Sequence, residues 1–407
     1  MRILQLYDGH ERVSPEESVP SIVYYLSKSL VRKGHDVTVL ERRWENLMSS
    51  EIDEGVNFVR MTMRIGSSIP YAEIPYKMLK NPASIIKFVS DRTEFAIRTH
   101  VFLKKNAFDV VHVHLPFSAC ILVNLNGHIK EKIIYTAHVG EEKKRFKLNS
   151  GKGTLPLLGG FSPDLYLIRK VRKSIVLNQP IKERLIAMGI EKEKLDVIPN
   201  GMELKELNIH KDELDRVRNR YALNKITVMF AGPIVQRKGV HYLVKAAKIL
   251  HDNMDVLFLI VGNQNINKEF TMQIKEYVRR QGLTNVHLAG FIPYEDLRVL
   301  YSACDIFVLP SFEEGDPMAL KEALASGKPL IGTKVGGVPM QIKDGWNGFI
   351  IEPGNEKQLV EKISYLIDNE EERMRMGKNS RRLAEKEFSW EKIVEKYLNV
   401  YEQVAQQ

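Results

Sequence analysis

Ile226-Thr227-Val228-Met229-Phe230-Ala231-Gly232-Pro233-Ile234-Val235-Gln236-Arg237-Lys238-Gly239 joins a near-continuous apolar run to a turn bracketed by glycines, and an amphipathic segment from His241 to Leu250 follows. An uncharged run rich in β-branched side chains suits a parallel strand covered on both faces. The segment after it has helical periodicity, so the stretch reads as one βα unit. The same grammar continues outward. Downstream, strands are expected at 256–261, 286–288, 306–309, 330–332 and 349–351; upstream, near 1–7, 35–41, 56–62, 109–114, 132–137, 174–177 and 195–198. A charged connector with helix-forming residues, roughly 203–224, separates the two series. The reading is an α/β protein of two doubly wound, Rossmann-like parallel-sheet domains, 1–203 and 204–387.

Composition narrows the class. At roughly 100 to 200 residues per domain, 407 residues give two or three domains. With 44% hydrophobic and 27% charged residues each half can bury a core, which excludes a disordered or collagen-like chain. Cys120 and Cys304 are too few for a disulfide framework or a cysteine metal site. No apolar stretch reaches the roughly 18 residues of a membrane span, and Met1 to Tyr7 lacks the organisation of a signal peptide. A cytoplasmic protein is expected. No short repeat suggests a solenoid.

The net charge of +9 lies wholly in residues 1–200, which hold 31 Lys and Arg against 22 Asp and Glu; residues 201–407 hold 29 of each. Such a half suits an anionic acceptor or peripheral contact with a membrane face, while a solvated basic face is the plainer reading. It lacks the interleaved aromatics of a nucleic-acid module, so no nucleic acid is expected. Pro70, Pro75 and Pro82 break the stretch 64–107, which reads as an insertion that packs on the first domain or rests on a membrane or acceptor.

Tyr7-Asp8-Gly9-His10-Glu11-Arg12 is no G-x-G-x-x-G, and there is no phosphate-binding G-x-x-x-x-G-K-[ST], so dehydrogenase and P-loop chemistry are disfavoured. Without any Asp-x-Asp, neither metal nor cofactor is expected. Arg237 and Lys238, after the glycine turn, put two cations at the carboxyl edge of a sheet, where ligands of open α/β folds bind and where phosphate is the natural guest. In Pro310-Ser311-Phe312-Glu313-Glu314-Gly315-Asp316-Pro317, Asp316 reads as the N-cap and Pro317 as the first residue of a helix whose amides suit an anion. Glu314 then lies beside that anion and Glu322 about two turns inward, able to accept bonds from vicinal hydroxyls. A nucleotide sugar has both parts. The alternative for each carboxylate is a surface group near a helix start.

These segments, with Asn200-Gly201, Gly290-Phe291-Ile292-Pro293, Val335-Gly336-Gly337-Val338-Pro339 and Asp344-Gly345-Trp346-Asn347-Gly348-Phe349, closely resemble the retaining glycosyltransferases of family four, and the likeness covers nearly the whole chain. It implies the GT-B fold, two domains facing across a cleft, with a helix at 388–407 crossing back onto the first. It implies a metal-independent hexosyltransferase, with the nucleoside diphosphate sugar donor on the second domain and a hydroxyl acceptor (glycan, lipid or small molecule) on the first. By the same resemblance Lys238 holds the diphosphate, with Arg237 standing in for the arginine the family has where this chain has Pro233. The competing view leaves Arg237 in solvent. Glu322 takes the ribose hydroxyls, Glu314 the transferred sugar, and His138, in Tyr135-Thr136-Ala137-His138, the donor sugar. Gly232, Phe291, Ile292, Gly315, Met318 and Ala319 complete the expected donor site.

His112 and His114 alternate on one face, where they line an acceptor site, bind metal or serve structure. Glu17-Ser18 replaces a Gly-Gly turn of the family, Pro317 replaces a glycine and offers no N–H, and Met340 replaces a common Glu. Such departures keep open a relative that binds a sugar nucleotide without turnover. A phosphorylase or isomerase on the same fold is the other rival.

Overall fold

Two parallel sheets organise the chain, and the computed structural model describes residues 1–9, 13, 21–44, 47–65, 82–125, 127–138, 162–204, 209–251 and 255–406. Glu17-Ser18 and the 66–81 part of the irregular stretch lie outside them. One compact unit comprises Met1–Gly201 with Trp390–Gln407, the other Met202–Ser389.

The first unit holds β1 (Arg2–Tyr7), β2 (Asp36–Arg42), β3 (Ser50–Asp53), β4 (Val56–Met61), β5 (Val110–Val113), β6 (Ile133–Ala137), β7 (Lys173–Val176) and β8 (Leu195–Val197). Their order is β3-β4-β2-β1-β5-β6-β7-β8. Alternate residues feed opposite cores: Ile133 and Tyr135 lie in one cluster and Ile134 in the other, which is the doubly wound arrangement the continuous apolar runs predicted. One strand escaped the sequence reading. β3 pairs antiparallel with β4 through a turn at Glu54 and Gly55, both with positive φ, and its Ile52 is exposed.

Three helices matter here: α1 (Ile22–Arg32), α2 (Pro82–Lys105) and, last in the chain, the helix Trp390–Ala405. The last buries Trp390, Ile393, Val394, Tyr397 and Tyr401, an i, i+3, i+4, i+7 stripe, in the core that Ile3, Val110 and Ile134 share. Trp390 also packs on Gly201, where a Cβ would meet its ring at 2.5 Å. Some of the positive charge is internal. Arg42 forms a bidentate pair with Asp91 (2.8 and 2.6 Å), and Arg60 bonds Glu41 at 2.8 Å, all four buried.

The second unit has β9 (Ile226–Ala231), β10 (Val256–Val261), β11 (Val286–Gly290), β12 (Ile306–Leu309), β13 (Leu330–Thr333) and β14 (Gly348–Ile351), ordered β11-β10-β9-β12-β13-β14 and wholly parallel. The order reverses beside β9 and β12, whose loops carry Lys238 and Glu314. That is the switch point at which such sheets bind ligands. Around it stand α3 (Val240–Ile249), α4 (Lys268–Arg280), α5 (Tyr294–Ala303) and α6 (Met318–Ala325).

Candidate active site

The carboxyl edge of the second sheet is drawn tight by glycine. The Gly232 N–H donates to the Val261 carbonyl (2.9 Å) and the Gly262 N–H to that of Gly290 (2.8 Å), so three strand ends close into a row. At Gly262, φ is +153° and a Cβ would stand 1.7 Å from the Gly232 oxygen, an approach only glycine permits.

Lys238 ends a single 3-10 turn, Gln236–Lys238, and is largely buried. Its Nζ donates to Oε1 of Glu314 at 2.6 Å, and the Ser311 hydroxyl donates to the same oxygen at 2.6 Å. Both bonds fall on Oε1, so Oε2 is the carboxylate oxygen suited to accept from a ligand hydroxyl. The loop around Glu314 is anchored by backbone. The Gly337 N–H donates to the Gly315 carbonyl (2.9 Å), and at Gly336, with φ +48°, a Cβ would stand 1.6 Å from the Glu314 oxygen. The Thr333 hydroxyl holds the Ser311 carbonyl.

Two details of the helix start differ from the sequence expectation. Pro317 occupies the cap position and Met318 opens the helix. Asp316 does not cap. Its carboxylate accepts from Lys321 Nζ at 2.5 Å and Gln341 Nε2 at 2.7 Å, with the Lys321 side chain 0% and that of Asp316 2% exposed. A buried cation therefore offsets the negative charge that would repel an anion, and the amides of Met318 and Ala319 are the ones at the helix's positive end. Glu322 lies one turn into α6, not two, in reach of Tyr301, whose hydroxyl bonds its carboxylate. Burial, then Glu322, push the Tyr301 phenol well above its usual range, so it stays a donor. Tyr301, distant from Glu322 in the chain, carries no signal by which sequence reading would single it out.

Neighbours in sequence part company here. Phe291 is 78% exposed whereas Ile292 is buried, which leaves Ile292 only its backbone to offer a ligand. Arg237, adjacent to Lys238, reaches the Glu313 carbonyl at 3.5 Å and lines a cavity of about 550 Å³ with His241, Phe270, Tyr277 and Phe312.

In the first unit His138 follows β6 and is joined to His114 at 3.1 Å. Burial pushes His138 down to about 4 and His112 and His114 well below the usual imidazole range, so all three are neutral near pH 7. Both nitrogens of His112 and of His114 have partners within the unit, the structural alternative among their sequence readings. Among the described residues no group of three His, Cys, Asp or Glu is placed to hold a metal.

Comparison with known proteins adds relationship to this geometry. The model described as Glycosyltransferase Family 4 matches residues 19–206, and that described as Glycosyl transferases group 1 matches 211–383. An uncharacterised glycosyltransferase of Methanocaldococcus jannaschii is 35% identical over 177 residues, 44% of this chain and 48% of that one. Spore coat protein SA of Bacillus subtilis is 27% identical over 390 residues, 92% and 91% of the two chains. The crystal structure of Anabaena HepE in complex with UDP and glucose superposes with a TM-score of 0.73 at 17% identity, covering 99% of this chain and 100% of HepE.

Proposed function

The chain belongs to the family 4 glycosyltransferases of group 1, a retaining family with the GT-B fold that transfers sugar from nucleotide sugars, and from that premise we propose that it moves a hexose from a nucleoside diphosphate sugar to a hydroxyl acceptor. The observation that carries the reading is the Lys238–Glu314 pair at 2.6 Å, held at the sheet's switch point one loop from the start of α6. Lys238 and the amides of Met318 and Ala319 carry the charge that develops on the departing diphosphate. Arg237, turned toward the Glu313 carbonyl, adds a weaker field. Glu322, oriented by Tyr301, takes the ribose hydroxyls; Oε2 of Glu314 takes a hydroxyl of the transferred sugar, and His138 another. No protein nucleophile and no metal are invoked.

Contact with an anionic or lipid-linked acceptor at a membrane face is supported by α2, where Ile86, Val89, Ile97 and Val101 are exposed on a helix that carries Lys87, Lys104 and Lys105. No helix among the described residues is long and apolar enough to cross a membrane.

Thermal shift without added metal against UDP-, GDP-, ADP- and dTDP-sugars tests the donor, since a ligand that prefers the folded state raises Tm. A shift with one nucleotide, absent in Lys238→Ala and Glu322→Ala, is expected. No shift with any of them overturns the reading. A shift without turnover on any acceptor favours the binding-only relative, and turnover that requires inorganic phosphate favours the phosphorylase.

A further inference from the structure

Strand alternation brings Gln5, His112, His114, Thr136 and His138 to one face of the first sheet, the face covered by the Trp390–Ala405 helix, and there they form a single hydrogen-bonded line with Tyr401. His138 Nε2 lies 3.1 Å from His114 Nδ1, and His114 Nε2 lies 2.7 Å from Gln5 Oε1. Gln5 Nε2 donates to Tyr401 Oη at 3.2 Å. Tyr401 Oη lies 2.7 Å from His112 Nδ1, and His112 Nε2 lies 2.7 Å from Thr136 Oγ1.

The protons in this line are not independent. Gln5 Oε1 can only accept, so His114 must carry its hydrogen on Nε2. A neutral His114 then has a lone pair on Nδ1 and must receive from His138, whose hydrogen is therefore on Nε2. That leaves the lone pair of His138 on Nδ1, across the ring from His114. On the other side of Gln5, its amide N–H occupies an acceptor position of Tyr401, and the phenol donates onward to His112. Rotating the Gln5 amide would reverse every bond and put the His138 proton on Nδ1. The line has two self-consistent settings, and the structure holds the one in which Gln5 turns its Oε1 to His114 and its amide N–H to Tyr401.

We propose that Gln5 and Tyr401 are positioning residues that hold His138 in the Nε2–H form, so that its Nδ1 accepts a hydrogen bond from a hydroxyl of the donor sugar. The inference rests on the proposed function for the identity of that hydroxyl, but the tautomer it assigns is a property of the unliganded protein. Burial keeps all three rings neutral, which the argument requires.

The test has two arms. Ring-nitrogen NMR of the uniformly labelled protein is expected to show His138 as the Nε2–H tautomer in the wild type, and as a mixture of tautomers in Tyr401→Phe and in Gln5→Leu. A wild-type His138 in the Nδ1–H form, or a tautomer unmoved in a folded variant of either kind, overturns the proposal. In turnover with whichever nucleotide sugar the thermal-shift screen identifies, Tyr401→Phe is expected to lower kcat/KM roughly 10- to 100-fold, by analogy with the loss of a hydrogen bond that orients a metal-ligating imidazole, with donor binding by thermal shift retained. Unchanged kcat/KM despite a changed tautomer overturns the assigned use of Nδ1. If no nucleotide sugar binds the wild type, the proposed function fails, while the NMR arm still decides the tautomer.

Discussion

The two chemically equipped regions of this protein solve the problem of buried polarity in opposite ways. In the second unit the polar groups are ions, Lys238 with Glu314 and Lys321 with Asp316, held by tight glycine loops. Around His138 in the first unit they are neutral, a line of imidazoles, amide, phenol and hydroxyl with no formal charge along its length, the buried Arg42–Asp91 and Arg60–Glu41 pairs standing outside it. Under the proposed function the difference suits what each would meet. A departing diphosphate demands fixed positive charge, whereas a sugar hydroxyl demands a donor or acceptor of defined sense, and a charge there would cost desolvation without adding direction.

If the ionic side is as described, its pairs fail badly when halved. Lys321→Met strands a buried carboxylate and is expected to cost about 3–5 kcal/mol by denaturant titration, while Lys321→Met with Asp316→Asn recovers most of it because no charge is left alone. Equal losses in the single and double variants would show that packing, not pairing, matters there. Lys238→Ala is expected to lower turnover by about 10²–10³, or roughly 3–4 kcal/mol of transition-state stabilisation; a loss below tenfold in the steady-state rate would place the diphosphate elsewhere. Gly336→Ala forces a Cβ onto the Glu314 carbonyl and is expected to cost about 1–3 kcal/mol, read as a lowered Tm with reduced donor binding. Retained Tm would mean that the loop gives way.

The neutral side is probed by pH. An imidazole whose folded pKa lies below its unfolded value binds its proton less readily when folded, so its contribution to stability is complete above about pH 6.5 and is lost as pH falls toward about 4, the value to which His138 is pushed. Tm should decline over that window, and the decline should be shallower in His138→Gln. Identical slopes would exclude His138 as a contributor. The smallest effect is expected at Arg237→Ala, under about 1 kcal/mol in donor affinity, as for a partly exposed charge. A loss matching that of Lys238→Ala would restore Arg237 to the diphosphate.

What was legible in the sequence followed the range of the interaction. Strands buried on both faces announce themselves by apolar runs, so every expected strand is present. β3 has no such signal, because an edge strand with exposed Ile52 needs no apolar face; the turn that folds it onto β4, with positive φ at Glu54 and Gly55, emerges only in the structure. Lys238 and Glu314 were visible because each sits beside its own turn or helix start. The role of Asp316 was not, because Gln341, one of its partners, lies 25 residues away and a short-range rule assigned the carboxylate to capping. Gln5 and Tyr401 are 396 residues apart, and neither residue type draws notice alone.

That last separation reflects a discontinuity in the first unit, which leaves its own sequence at Gly201 and resumes it at Trp390. During synthesis the residues of the second unit, one contiguous stretch, emerge entire before the helix that finishes the first. The second unit can thus fold as soon as it clears the ribosome, while the first waits with a sheet face bare of Trp390, Tyr397 and Tyr401. The loop it closes is the whole second unit, Met202–Ser389, so its maturation should be the slow step and the point at which chaperones engage the nascent chain.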